Sequence, residues 1–206
     1  MWAAVKSPLL IGADLRKLNP KTLTILNNPA IIAVNQDPIG RAAFRISRDE
    51  NVKKDRYGQG EIQIWSGPLW PHDQLVIFLN AADEDLEMTT NLNDIFVHEG
   101  PEGSAPQTKV GFDVYDLWAD RMDDFTAEQI LDGKHQYKKD WYNSTEIPYK
   151  VGLQQGDTRL LGKRVDSIGP QHDTLRAKVP RHGVRMFRLR NLNEPVTRSS
   201  VTKDEL

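Results

Sequence analysis

The chain opens MWAAVKSPLLIGADLRKL, residues 1–18, and the reading of this stretch decides the fold. First residues are ordinarily solvated, because little packing holds a terminus. Here Trp2 is followed by a continuous apolar run: Pro8, Leu9, Leu10, Ile11 and Gly12. A short run without polar alternation is the pattern of a strand buried on both faces, as in a parallel sheet. Residues 1–5 read as the end of a helix. Asn19-Pro20 predicts a helix start, with Asn as N-cap and Pro at the first helical position. Leu23 and Leu26 share one face of that helix, and Asn27-Asn28-Pro29 stops it. Helix, buried strand, loop, helix is the rhythm of an α/β domain. One strand cannot make a parallel sheet, so its neighbours are expected from sequence preceding Met1.

After the turn signature Asp37-Pro38-Ile39-Gly40 the character changes to strands. Residues 61–65 alternate, with Ile62 and Ile64 on one face, and Gly67-Pro68 is expected to break that strand. Residues 75–79 form a continuous apolar run; residues 91–97 and 111–118 are further strand candidates. Leu175, Ala177 and Val179 alternate with polar partners, Pro180-Arg181-His182-Gly183 is a turn, and residues 184–189 return. This predicts an antiparallel hairpin. The adjacent Met186 and Phe187 imply a bulge or a strand buried on both faces. Short strands between Gly and Pro turns predict a β-sandwich. Residues 122–173, polar and without clean periodicity, read as an elaborate loop or a pair of weak strands.

The 206 residues suffice for one good-sized domain or one domain with part of another. A net charge of −2 provides no global field to attract nucleic acid or an anionic membrane surface. No apolar run approaches the ~18 residues of a membrane span, so no membrane insertion is expected. Cysteine is absent, which excludes disulfides, thiolate metal sites and a cysteine nucleophile.

Catalytic signatures are sparse. Asp83-Glu84-Asp85 and Asp123-Asp124 read as turn carboxylates rather than a glycosidase pair, which needs two carboxyls held across a sugar. His72, His98, His135, His172 and His182 show no metal-ligand spacing, and no G-x-S-x-G elbow exists. The glycine-bounded run GDTRLLGKR at 156–164 departs from a phosphate loop in spacing and in carrying Arg164 after Lys163. Trp65, Trp70, Trp118 and Trp141 suit core packing, with stacking on sugar rings as the alternative. Asn143-Ser144-Thr145 is an N-glycosylation triplet. The chain ends Lys203-Asp204-Glu205-Leu206, which at a free C-terminus is the ER-retrieval signal. The expected location is the secretory pathway, in the ER lumen if that signal is read. No signal peptide is legible at the start of this chain.

Two long segments carry a family resemblance. Residues 1–15 (MWAAVKSPLLIGADL) and 31–40 (IIAVNQDPIG) closely resemble the α-galactosidases of glycoside hydrolase family 27. Trp65-Ser66-Gly67-Pro68-Leu69, Asp116-Leu117-Trp118 and His182-Gly183-Val184 resemble landmarks of that family's C-terminal domain. The resemblance implies a mainly β chain: an antiparallel β-sandwich preceded by the last strand and helices of a truncated (β/α)8 barrel. Residues 1–38 would be the barrel remnant, 39–192 the sandwich and 193–206 the tail. Met1 would then be an internal methionine of a longer parent.

The family chemistry is retaining hydrolysis of terminal α-linked galactose, by one nucleophilic Asp and one acid/base Asp. Neither Asp, nor any galactose-binding residue, matches a position here. No catalytic, substrate-binding or metal residue is therefore carried over, and Asp14 and Asp37 lie in structural motifs. No cofactor is implied; α-galactosides are the implied substrates of the parent. Alternatives are a non-catalytic carbohydrate-binding or structural sandwich, or a relative acting on α-N-acetylgalactosaminides or β-arabinopyranosides. Residues 1–34 are expected to lack their burial partners. The chain should then self-associate, and a chain starting near Asp37 should be more soluble and no less stable.

Overall fold

A computed structural model of the chain describes residues 1–97, 105–134, 141–170 and 174–191. Among the described residues eight strands form two sheets: β1 (Phe44–Asp49), β2 (Ile62–Leu69), β3 (Asp73–Asn80), β4 (Leu86–Asn91), β5 (Phe112–Asp116), β6 (Lys163–Ile168), β7 (Thr174–Val179) and β8 (Val184–Asn191). The large sheet runs β1-β2-β3-β8-β5-β6, and β4 pairs β7 separately. Every pairing is antiparallel. This is the expected mainly β sandwich.

The large sheet is covered on both faces. Val76, Phe78, Val114, Phe187 and Leu189 meet Met88, Leu175 and Val179 of the small sheet, together with Leu92 and Ile95 of the short helix α3 (Leu92–Ile95). On the other face Leu75, Ile77, Leu117 and Met186 meet Ala4, Ala30 and Val34 from the first part of the chain. Double coverage explains why β3 is buried almost throughout and why Met186 and Phe187 are buried side by side. Their adjacency marks a strand buried on both faces.

Two helices begin on the same two-residue signature. Asn19 Oδ1 accepts from the Thr22 N–H at 2.8 Å and opens α1 (Pro20–Leu26). Asn28 Oδ1 accepts from Ile31 N–H at 3.2 Å and opens α2 (Pro29–Asn35). Asn28-Pro29 therefore stops one helix and starts another.

Several expectations are corrected. Residues 8–12 form no strand and are exposed, Leu10 by 85%. A strand exists only through its neighbours' hydrogen bonds, and no described strand lies beside this run. Residues 1–5 make a single turn, with Val5 N–H donating to Met1 O at 3.2 Å. Gly67-Pro68 does not end β2. Pairing with β1 stops at Ser66, which leaves Pro68 on a one-sided stretch of strand where it needs no second ladder bond. A Cβ at Gly67 would stand 2.8 Å from Ala43 Cα, so the glycine permits a close backbone approach.

Residues 91–97 hold α3, capped by Asn91, rather than a strand. The segment 174–189 is not a hairpin: β7 pairs β4 and β8 pairs β3 and β5, so the turn at 180–183 crosses between sheets. Asn80 holds that crossing, donating to Glu84 O, Val179 O and Pro180 O at 2.8–3.2 Å. Residues 122–170 contain α4 (Asp124–Leu131), α5 (Tyr149–Gln155) and β6. The expectation that residues 1–34 are unpartnered is also revised: α2 buries Pro29, Ala30, Ala33 and Val34. Cutting near Asp37 would strip one face of the large sheet.

Candidate functional site: an apolar groove beside the large sheet

The first 37 residues are attached to the sheet at discrete points. Ala43 N–H donates to Ala4 O at 2.9 Å, joining the opening turn to the start of β1. Lys6 Nζ donates to Val34 O, and Asn35 Nδ2 donates to Ser7 O at 2.8 Å. Asn28, buried at the start of α2, donates from Nδ2 to Leu117 O at 3.0 Å. Asp37 is buried and accepts from the N–H groups of Ile39 and Trp70 at 3.0–3.2 Å, so it ties the end of this segment to the β2–β3 turn. Burial pushes its carboxyl above the ordinary carboxylate range despite those donors.

Charge is buried on the same face. Arg188 is 1% exposed and donates from Nη1 to Asp73 Oδ2 at 3.0 Å, while its Nε and Nη2 have no hydrogen-bond partner among the described residues. Burial holds the Asp73 carboxyl above the ordinary carboxylate range, although the Arg188 charge pulls it down. Taking one member away would leave an uncompensated buried ion.

Between these anchors the segment leaves a groove of about 980 Å³, lined by apolar side chains. Leu9, Leu10 and Ile11 form one wall, Ile25, Leu26, Ile31 and Ile32 another, and Trp118, Val184 and Met186 contribute from the sheet. Trp2 (72% exposed), Leu10 and Ile11 (53%) stand open at its margin. Isolated exposed apolar residues are ordinary, but a contiguous set around one groove marks an interaction surface.

The remaining candidates have structural surroundings. Asp83 pairs with Arg181 at 3.1 Å and lies 3.7 Å from His182 Nε2, and Asp85 accepts from Arg181 N–H at 2.9 Å. Asp123 caps α4 through Thr126 N–H at 2.7 Å, which holds its carboxyl below the usual range. Asp14 accepts from Arg16. Gly156 ends α5 in the left-handed conformation, so the 156–164 run is a helix C-cap and turn entering β6.

Trp65 packs beside the core under α2. Trp70 lies against the Tyr142 cluster, and Trp141 donates from Nε1 to Asn27 O at 3.2 Å. Among the described residues no cluster of three potential metal ligands occurs. No helix among them is long and apolar enough to cross a membrane. Asn143 is exposed, with its Oδ1 accepting from Thr145 N–H at 3.1 Å. His98, His135, His172 and Lys203 to Leu206 lie outside the described residues. What sequence reasoning missed is the groove itself. The apolar run at 8–12 is its signal, although the same pattern equally suits a buried strand.

Residues 59–148 match the profile of the α-galactosidase C-terminal β-sandwich domain, and residues 1–37 match that of α-galactosidase A. The chain belongs to the α-galactosidase family. It is 44% identical over 190 residues to an α-galactosidase of Torulaspora delbrueckii, which covers 92% of this chain and 40% of that protein. The solved structure of the Saccharomyces cerevisiae α-galactosidase with raffinose superimposes with a TM-score of 0.85 at 42% identity, over 92% of this chain and 41% of that one. α-Galactosidase I of Mortierella vinacea follows at a TM-score of 0.57 and 26% identity, over 91% of this chain and 33% of that one. The chain thus spans about 40% of the length of the curated relatives it matches. The two profiles meet on this molecule at the groove. Its helical and N-terminal walls come from residues 1–37, which match the α-galactosidase A profile, and Trp118 comes from the segment matching the sandwich profile.

Proposed function

We propose that this chain is the sandwich-bearing part of an α-galactosidase, and that its groove seats the catalytic part of the enzyme. The observation that carries this is the join of the two matches. A segment matching the α-galactosidase profile is anchored on the sheet through α2, yet presents Leu9, Leu10, Ile11, Ile25 and Trp2 outward. Burying such side chains is worth roughly 1.5–3 kcal/mol each, enough to hold two parts of one enzyme together. The whole protein would remove terminal α-linked galactose with retention, through two carboxylates held across the sugar. The described carboxylates at the motif positions, Asp14 and Asp37, serve turns and backbone donors instead.

The test is hydrolysis of an aryl α-galactoside. The purified chain is expected to show no rate above blank. Mixing it with the preceding 60% of the Torulaspora relative, expressed separately, should restore one. A rate from this chain alone that disappears on replacing one of its own carboxylates would overturn the proposal.

The same reading carries a location. Asn143, exposed in its triplet, suits glycosylation in the secretory pathway, and Lys203 to Leu206 suit retrieval to the ER lumen by its receptor. With a signal peptide added, deletion of the last four residues should release the chain to the medium. Equal secretion with and without them would remove the address.

A further inference from the structure

A second cleft begins at Pro29, the first residue of α2. It encloses about 330 Å³ between Pro29, the β5–α4 loop, the residues entering the α5 region and Arg159. Its chemistry comes from Asp120, Arg121, Asp123, Trp141, Tyr142 and Arg159. We propose that this cleft binds the pyranose ring of a saccharide, stacked on Trp141 and hydrogen-bonded by the flanking carboxylates and guanidinium groups.

The geometry of each wall supports that ligand class. Trp141 is half-buried and its indole N–H is committed to Asn27 O at 3.2 Å, so the ring is held in place by a bond that leads away to α1's last turn. A fixed indole offers an apolar platform for the C–H face of a sugar with little ordering cost. Tyr142 is buried, with its hydroxyl donating to Ile147 O at 2.6 Å and the Arg159 guanidinium 5.2 Å from its ring centre. Arg159 is itself oriented by Asp157 through Nε at 3.0 Å and Nη2 at 2.6 Å. Arg121 is fixed in the same way on the other side, 5.1 Å from the Trp118 ring centre and donating to Trp118 O at 3.2 Å. Asp123 is held by Thr126, and Asp120 stands exposed at the rim. The polar groups are therefore pre-positioned.

Charge selects among ligands. An anion entering the cleft meets Asp120 and Asp123; a cation meets Arg121 and Arg159. A neutral polyhydroxyl ligand satisfies both, donating to the carboxylates and accepting from the guanidiniums. The volume sits at the lower end of small-molecule sites, which suits a single sugar ring rather than a long oligosaccharide.

Such a ring has two possible sources. It can be the end of a free galactoside, or the first sugar of a glycan on Asn143, which lies two residues beyond Trp141 and is exposed. The experiment separates them. The chain is produced without glycosylation, and tryptophan fluorescence and saturation-transfer NMR are recorded with raffinose, with N,N'-diacetylchitobiose as the glycan core, and with sorbitol as an acyclic control. Saturable binding of raffinose assigns the cleft to galactosides; binding of diacetylchitobiose alone assigns it to the glycan.

Either response should weaken about tenfold or more in Trp141→Ala, as expected for loss of one stacking platform. Because Trp141 also bonds Asn27, Asp120→Ala is the companion variant: exposed and unburdened by packing, it should weaken binding while leaving the melting temperature unchanged. No response to either sugar, a response matched by sorbitol, or a response unaltered in both variants overturns the proposal.

Discussion

Residues 8–17 and helix α2 lie within one 37-residue segment that matches a single family profile, yet they have opposite fates. Every residue from 8 to 17 is exposed, whereas α2 buries four of its seven. Apolar content does not separate them, since PLLIG is as hydrophobic as PAIIAV. Partners do. Ala30 and Val34 lie over Leu75, Ile77 and Met186, and Ala33 over Tyr142, Leu153 and Leu160. Residues 8–11 line the groove instead, and residues 12–17 lie exposed beyond it. The comparison separates a part of this segment that packs on the sheet from a part that stays exposed, and four sets of changes test that division.

The largest effect is expected from removing residues 1–36. That exposes Leu69, Leu75, Ile77, Leu117 and Met186 at once. At roughly 1.5–3 kcal/mol per large side chain, the loss is comparable with a whole domain's 5–15 kcal/mol. The shortened chain should fail to fold, or melt more than ~10 °C lower by calorimetry. Val34→Asp alone should do much of this. Melting within ~2 °C of the parent would show that α2 only rests on the sheet.

Next comes the ion pair on the same face. Arg188→Met leaves the Asp73 carboxylate buried without its partner, which typically costs about 3–5 kcal/mol. Arg188→Met with Asp73→Leu should recover most of that loss, because the double change removes both buried charges. Denaturant titration of the three proteins decides. If the double variant is as unstable as the single one, the face under α2 needs its charges for shape rather than tolerating them.

These two effects bear on what could be read beforehand. The strand-rich body was legible because alternation at 62–65 and 175–179 is a local property. Which sheet a strand joins is not local. β7 and β8 look like hairpin arms because only four residues separate them, and only the double coverage of β8 and the Asn80 bridge to residues 179 and 180 show that the turn changes sheets. α4 and α5 stayed hidden because they present short and largely polar helices. Asp123 as N-cap is the usable signal for α4, but an Asp-Asp pair suits a turn equally well. At 8–12 the apolar pattern signals a wish for burial, but a strand needs paired neighbours and no described strand lies beside this run. The terminal Lys203 to Leu206 and the Asn143 triplet are legible only as local residue patterns, and no feature of the sheet bears on them.

The two Asn-Pro starts supply a finer comparison. Asn19 caps α1 from an exposed position, through Thr22 N–H alone. Asn28 caps α2 and also donates across to Leu117 O, 89 residues away, while buried. Asn19→Ala should cost about 0.5–1 kcal/mol, as caps do. Asn28→Ala should cost about 2–3 kcal/mol, since it also leaves a buried carbonyl without its donor. Equal losses would mean the bond to Leu117 adds nothing to the cap.

The smallest change in stability belongs to the groove wall, and it is the most informative about function. Leu10 is 85% exposed and Ile11 53%, so replacing both with Lys removes little buried surface. Surface changes away from packing usually stay within ±0.5 kcal/mol, and the double variant should melt within about 2 °C of the parent. Its association should change far more. In the isolated chain the open groove and its apolar rim favour self-contact, so sedimentation should show concentration-dependent species that Leu10→Lys with Ile11→Lys suppresses. In the reconstituted enzyme the same pair should impair recovery of α-galactosidase activity, because two charges would then need burial between the parts. Unchanged melting with lost reconstitution separates an interface from a structural element. Lost melting would instead place residues 8–17 with α2, as part of what holds the sandwich together.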